Sequence, residues 1–348
     1  MGKERIFEGQ IFLGEHLELA PARIVVRDGL ITAIEELTRA SPRWICPALY
    51  NAHTHLGDTI ALDLPLSGTL EDLVTPPHGL KHRILSGASR SEMVEGMRAA
   101  LNIMLQSGTG GCADFREGGR EGVALLREAV HDLPFVTTIF GREGGEADAD
   151  GLGISSVRDV SGAESQVLAA RNAGKQVALH AGERDAEDVD EAISLHPDLL
   201  VHATHATRSQ LRRCADEGIP IVVCPRSNWT LGVARGSSHP PIRQMIELGC
   251  TLLLGTDNAM FVHPDMFREM AFTATVYRIS SPRILDAAIR GSAILASPWY
   301  ITPGAPARFF CVEAGRGPLS YSRDPCTTLV KRVNGTDILE KVLTVGHK

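Results

Sequence analysis

Two histidines, His53 and His55, stand one residue apart after the apolar stretch Pro47-Ala48-Leu49-Tyr50-Asn51-Ala52. In an extended chain residues i and i+2 point to the same side. Both imidazoles can then reach one metal ion, although a pair of ordinary loop histidines is the plainer reading of these two alone. Further candidates lie downstream: His180 in Val177-Ala178-Leu179-His180-Ala181-Gly182-Glu183, His202 and His205 in Val201-His202-Ala203-Thr204-His205, and Asp257 in Leu254-Gly255-Thr256-Asp257-Asn258. Imidazole nitrogens with one carboxylate suit Zn²⁺, and Fe²⁺ less decisively. Glu183 follows His180 by three residues. It reads either as a carboxylate favoured at a helix N-terminus or as a general acid/base beside a metal-activated water.

These residues need a scaffold that gathers them. Residues 5–46 carry short strand-like runs, Ile6–Leu13, Ala22–Arg27 and Leu30–Glu35, with Asp28-Gly29 as a hairpin signal between the last two. From residue 46 strand and helix patterns alternate. Strands are expected at 45–51, 110–115, 135–140, 152–156, 176–179, 199–203, 219–223 and 251–255. Helices are expected at 91–106, 120–131, 162–173, 186–195, 208–217, 241–248, 265–277 and 285–295. Eight βα units over this length predict a (β/α)8 TIM barrel; an open doubly wound sheet is disfavoured because no G-x-G-x-x-G follows the first strand. In such a barrel chemistry sits at the C-terminal ends of the strands. His53 and His55, His180, His202 and Asp257 all fall at such ends. The tail returns to strand-like pieces, Arg308–Glu313 and Thr328–Val333, expected to join the N-terminal runs in one small sheet. The expected division is 1–46 and 304–348 as a composite β-module and 47–303 as the barrel. The insertion Leu56–Arg90 after the first barrel strand is long enough for a lid or substrate loop.

Composition narrows the function classes. A net charge of −7 over 348 residues gives no basic field for nucleic acid. No apolar run is long enough to span a bilayer, and the charged start lacks a signal-peptide core. Seven cysteines without a C-x-x-C pair imply neither a disulfide framework nor a cysteine-zinc site. The expected setting is the cytoplasm, with a small molecule as partner and a dimer as the commonest assembly of soluble enzymes.

In combination, Asn51-Ala52-His53-Thr54-His55, His180-Ala181-Gly182-Glu183, Ser227-Asn228-Trp229-Thr230-Leu231-Gly232 and Leu254-Gly255-Thr256-Asp257 resemble the amidohydrolase superfamily. The closer resemblance is to its mononuclear aminohydrolase branch, which holds cytosine, guanine and S-adenosylhomocysteine deaminases and the chlorohydrolases. The resemblance implies His53, His55, His180 and Asp257 as metal ligands and Glu183 as proton shuttle. It implies His202 as the residue that polarises the scissile centre and His205 as a second histidine found in some members. Asn228 matches a residue that supports the loop after strand 7. Binuclear members bridge two metals with a carboxylated Lys or a Glu on strand 3 or 4. The candidates 135–140 and 152–156 hold no Lys, and Glu143 lies just past strand 3, so one metal is expected. The family's C-terminal Gly-x-x-Ala-Asp-Leu pattern is degraded here to Gly304-Ala305-Pro306-Ala307-Arg308-Phe309-Phe310, and the chain is shorter than most deaminases of the branch.

The implied reaction is attack of a metal-activated water on an sp² carbon that bears an amine or ring amide nitrogen. Asp257 and Glu183 take the water's proton, His202 stabilises the oxyanion, and Glu183 protonates the substrate. Deamination of a purine, pyrimidine or related heterocycle leads. A cyclic-amide or imidazolone hydrolase is the near alternative, and a non-catalytic binding protein the distant one. Two near-repeats, Phe115-Arg116-Glu117-Gly118-Gly119 and Gly141-Arg142-Glu143-Gly144-Gly145, offer Arg116 and Arg142 either as a clamp for a substrate anion or as braces of the barrel rim. In the insertion, Thr75-Pro76-Pro77-His78-Gly79-Leu80-Lys81-His82-Arg83 either brings Lys81, His82 and Arg83 over the substrate or starts a solvated helix. Arg226, just after strand 7, is a further candidate to face the pocket.

Overall fold

A computed structural model describes residues 4–62, 68–74 and 78–345. The Thr75–Pro77 part of the insertion lies outside the described residues. The chain forms two sheets. The first is six-stranded, in the order 338–343, 308–313, 43–47, 5–13, 18–27 and 30–36. It joins the N-terminal and C-terminal segments, as expected. Its hairpin turns at Asp28-Gly29, where φ is +49° and +77°. Positive φ at both central residues marks the tight turn that matches strand twist, and Asp-Gly is suited to it.

The second sheet closes into the expected (β/α)8 barrel. Its strands are Leu49–His55, Thr109–Arg116, Val136–Gly141, Gly151–Ile154, Gln176–Ala181, Leu199–His202, Ile221–Val223 and Leu252–Leu254. A two-residue continuation of the last strand, Asp257–Asn258, pairs back onto Thr54 and His55 and seals the ring. All these pairings are parallel. The strands read as apolar runs because both faces are covered, by helices outside and by barrel side chains within.

Two expectations are corrected. The run 45–51 is two strands: Arg43–Pro47 belongs to the first sheet and Leu49–His55 to the barrel. Between them the Ala48 amide donates to Arg308 and the Leu49 amide to Gly108, so the chain changes sheets within two residues. The tail segment 328–333 is not a strand. Pro325–Arg332 is a helix, capped by the Asp324 side chain on the Thr327 amide, and the final strand is Ile338–Leu343. Pro at the first helical turn and Asp before it are the start signals that its β-branched residues masked. After the seventh strand Pro225–Thr230 is also helical, again opened by proline. Among the described residues no helix is long and apolar enough to cross a membrane.

Candidate active site

The strand ends bring His53, His55, His180, His202 and Asp257 together, all buried. His53 and His55 share a face of their strand, while the intervening Thr54 turns outward and donates to Asp114 Oδ2 at 3.0 Å. The same carboxylate oxygen accepts the Leu56 amide at 2.7 Å, which fixes the turn just after His55. His202 and Asp257 have left-handed backbone, with φ of +75° and +64°. Non-glycine residues rarely adopt it, and such strain collects at functional sites.

The donor atoms converge. His53 Nε2 is 3.2 Å from Asp257 Oδ1 and 3.3 Å from His180 Nε2, and His55 Nε2 is 3.5 Å from the same Asp257 oxygen. His180 Nδ1 lies 2.9 Å from the Ile154 carbonyl, which can only accept, so this nitrogen carries the proton and Nε2 presents a lone pair. His55 Nδ1 is 2.7 Å from Glu117 Oε1. Burial pushes the Glu117 carboxyl up, but Lys81, His55, Arg142 and Arg116 outweigh it and hold it well below the usual carboxylate range. Glu117 is therefore ionised, and His55 Nε2 likewise presents a lone pair. Burial, with His53 and the other imidazoles, holds His180 well below its ordinary pKa. Burial and the Lys81 charge push His55 down to about 3. The His55 and His180 Nε2 lone pairs and an Asp257 carboxylate oxygen face one another around His53 Nε2, a cluster rich in acceptors. A divalent cation satisfies them, and the donor set fits one. Asp257 Oδ2, on the other side, accepts from Ser227 Oγ at 2.6 Å.

Glu183 stands beside this group with its carboxylate 3.7 Å from His202 Nε2. Burial raises its pKa, against the opposing pull of His202. A carboxyl so placed can hold a proton and give it up at the mouth of the site.

The sequence model of the amidohydrolase family matches residues 44–293, which covers the barrel and every residue named above. The chain belongs to the amidohydrolase family. It is 35% identical to a putative aminohydrolase of Methanothermobacter thermautotrophicus, over 96% of each chain. An adenine deaminase of Chelativorans sp. is 28% identical over 70% of this chain and 73% of its own. The zinc-bound adenosine deaminase of Xanthomonas campestris shares the fold, with a TM-score of 0.73 at 19% identity over 97% of this chain and 90% of that one.

In this amidohydrolase the expected substrate residues separate. Lys81 and Arg142 line the cavity above the donors, together with Ser156, Glu183, Arg184 and Asn258. Arg116 does not. Its side chain is wholly buried and its guanidinium is taken up by Asp114, Glu117 and Met97 Sδ, so the clamp reading is corrected to the brace. Arg226 is also a brace, bonded to Glu269 and to the carbonyls of His263 and Asp265. His205 sits on the far side of Glu183, its ring 5.1 Å from that of His239, in a second cavity that shares Glu183 and Arg184 with the first. Asn228 donates to Thr204 Oγ1 at 2.5 Å, and its carbonyl accepts the Ala234 amide, so it ties the loop after strand 7 to strand 6. Glu143 is exposed and accepts the Gly118 amide at 3.2 Å, away from the donor cluster. Sequence reading undervalued Glu117 and passed over Ser227 as a partner of Asp257. Glu117 was visible only as the acid beside Arg116.

Proposed function

We propose that the chain is a metal-dependent aminohydrolase that removes the exocyclic amine of a nitrogen heterocycle of the purine or pyrimidine type. The observation that carries the reading is the pairing of this convergent imidazole and carboxylate set with Glu183 and His202 at its rim. His53, His55, His180 and Asp257 would hold a single divalent ion, for which zinc is the better fit. Such an ion supplies Lewis acidity and brings the deprotonation of water within reach of neutral pH.

The remaining work falls to the chain. Glu183, with its raised pKa, receives a proton from water and gives it to a ring nitrogen. The hydroxyl on the tetrahedral carbon then releases a second proton, which the same carboxylate passes to the leaving amine as the C–N bond breaks and the carbonyl forms. His202, 3.7 Å from Glu183, faces the oxygen that gains charge as the carbon becomes tetrahedral. Ser227 keeps Asp257 in one orientation through its 2.6 Å hydrogen bond. Arg142 and Asn258, on the cavity wall, are placed to bind the polar edge of the heterocycle. The relatives named as a putative aminohydrolase and an adenine deaminase support the same reaction class.

The test is metal content per chain measured beside an ammonia-release screen over purines, pyrimidines, pterins and their nucleosides. One zinc per chain with ammonia from one substrate group is the expected result. Loss of a cyclic amide without ammonia would replace deamination by ring opening.

A further inference from the structure

Lys81 is the one buried residue of the insertion helix Leu80–Gly87. Its ammonium has three hydrogen-bond donors and faces three acceptors: Glu117 Oε1 at 2.8 Å, Asn258 Oδ1 at 3.1 Å and Asp58 Oδ2 at 3.3 Å. Although it lines the cavity, its ammonium is drawn toward these oxygens, with one hydrogen bond to Asn258 and ion pairs to Glu117 and Asp58. What it touches matters more. Glu117 Oε1 also accepts His55 Nδ1 at 2.7 Å and Arg142 Nη2 at 2.6 Å, and its other oxygen takes Arg116. Asn258 directly follows Asp257 and pairs with His55 across the closing seam of the barrel. Lys81 therefore spans the supports of two metal-donor residues that come from opposite ends of the barrel sequence.

We infer that Lys81 and Glu117 are positioning residues that couple the seating of the insertion helix to the metal site, rather than contacts for the substrate. A buried ammonium is tolerated only where its counter-charges are in place. Seating the helix requires Glu117 and Asn258 to be oriented toward Lys81. The same orientation aims the Glu117 carboxylate at His55 Nδ1 and so fixes the ring that presents Nε2. Coupling of this kind runs both ways: metal binding steadies the helix, and the helix steadies the metal. The inference rests on the metal site and not on the choice of deamination, so it stands or falls separately from the substrate.

The experiment is zinc transfer from the loaded protein to an excess of a chromogenic chelator, with steady-state kinetics alongside. Lys81→Met and Glu117→Gln are each expected to weaken zinc retention by about 10–100-fold, the range for loss of a ligand's hydrogen-bonding partner, and to lower kcat with little change in KM. The double variant is expected to lose less than the product of the two, because both changes break one interaction. His82→Ala is the control. It removes a different contact of the same helix, with the Val74 carbonyl at 3.1 Å, and should leave zinc retention unchanged. Wild-type zinc retention in Lys81→Met with a raised KM would overturn the inference in favour of a substrate contact. Equal loss in His82→Ala would reduce it to general loosening of the helix. If the variants do not fold, hydrogen exchange on the wild-type protein decides. Chelation of the zinc should deprotect helix 80–87 more than the neighbouring helix Arg90–Gln106, and equal change in both would overturn the coupling.

Discussion

The Glu183 carboxylate lies 3.7 Å from His202 Nε2, while His205, three residues further along, turns away toward His239. Of the two histidines on this segment, His202 is the one that shares a space with the donor cluster. Glu183→Gln keeps the shape and removes the titrating proton. It is expected to lower kcat by about 10²–10⁴-fold, the usual contribution of a general acid/base, with zinc content unchanged. A single-turnover assay with metal analysis checks both halves. A variant that turns over normally would exclude Glu183 as the shuttle.

Ser227 donates to Asp257 Oδ2 and leaves Oδ1 toward the histidines. The hydroxyl thus decides which oxygen is presented. Ser227→Ala should retain the fold but bind zinc about 10–100-fold more weakly. Competition against a chelator of known affinity measures it. An unchanged affinity would show that the strand backbone alone orients Asp257.

Arg116 and Arg142 stand in nearly identical sequence, yet one is structural and the other faces the cavity. The cause is the pleat. Phe115 points into the barrel, its ring centroid 4.5 Å from that of His53. Arg116, next along the same strand, must point outward, where it meets Asp114, Glu117 and Met97. Arg142 lies one residue beyond the end of its strand, Val136–Gly141, and is free of that alternation. Arg116→Met leaves Asp114 and Glu117 without their shared cation. It should cost about 3–5 kcal/mol, the range for breaking a buried pair, with KM little changed in whatever folds. Arg142→Ala removes one of three cations on Glu117 and leaves Lys81 and Arg116 in place, so it should destabilise less than Arg116→Met and raise KM. Chemical denaturation and steady-state kinetics separate the two, and a raised KM without destabilisation in Arg116→Met would contradict the geometry.

The same contrast shows what the sequence could and could not reveal. The barrel and the gathering of His53, His55, His180, His202 and Asp257 at one place were legible because periodicity and strand-end position are local properties, and His53-Thr54-His55 needs only the alternation of a strand. Partner choice is not local. That Glu117 would gather His55, Lys81, Arg116 and Arg142, or that Ser227 would find Asp257, depends on how segments up to 62 residues apart are packed. The 325–332 helix was hidden for a different reason: β-branched residues suggested a strand where the Asp324-Pro325 start signal and the burial of Leu329 and Val330 decide for a helix.

Gly255 closes the barrel at its most sensitive point. It lies between the end of the eighth strand and Asp257, and a Cβ there would sit 2.8 Å from both the backbone nitrogen and the Cβ of His53. The Thr256 amide donates to the His53 carbonyl at 3.1 Å, and Asn51 bonds the Thr256 side chain at 2.7 Å, so the two strands cannot part without loss. Gly255→Ala is therefore an overpacking change, expected to destabilise by about 1–3 kcal/mol. Because the displaced residue is His53, zinc affinity should fall with it. Gly87→Ala is the matching control, since among the described residues nothing beyond its chain neighbours and its own helix backbone lies within 4 Å of the added methyl group. There the loss of unfolded-state freedom should leave stability unchanged or raise it by about 0.4–1 kcal/mol. Thermal unfolding of both variants, with and without zinc, makes the comparison. If Gly255→Ala lowers the Tm by the same amount in both conditions, the added methyl is absorbed away from His53 and the seam is not what sets the metal site.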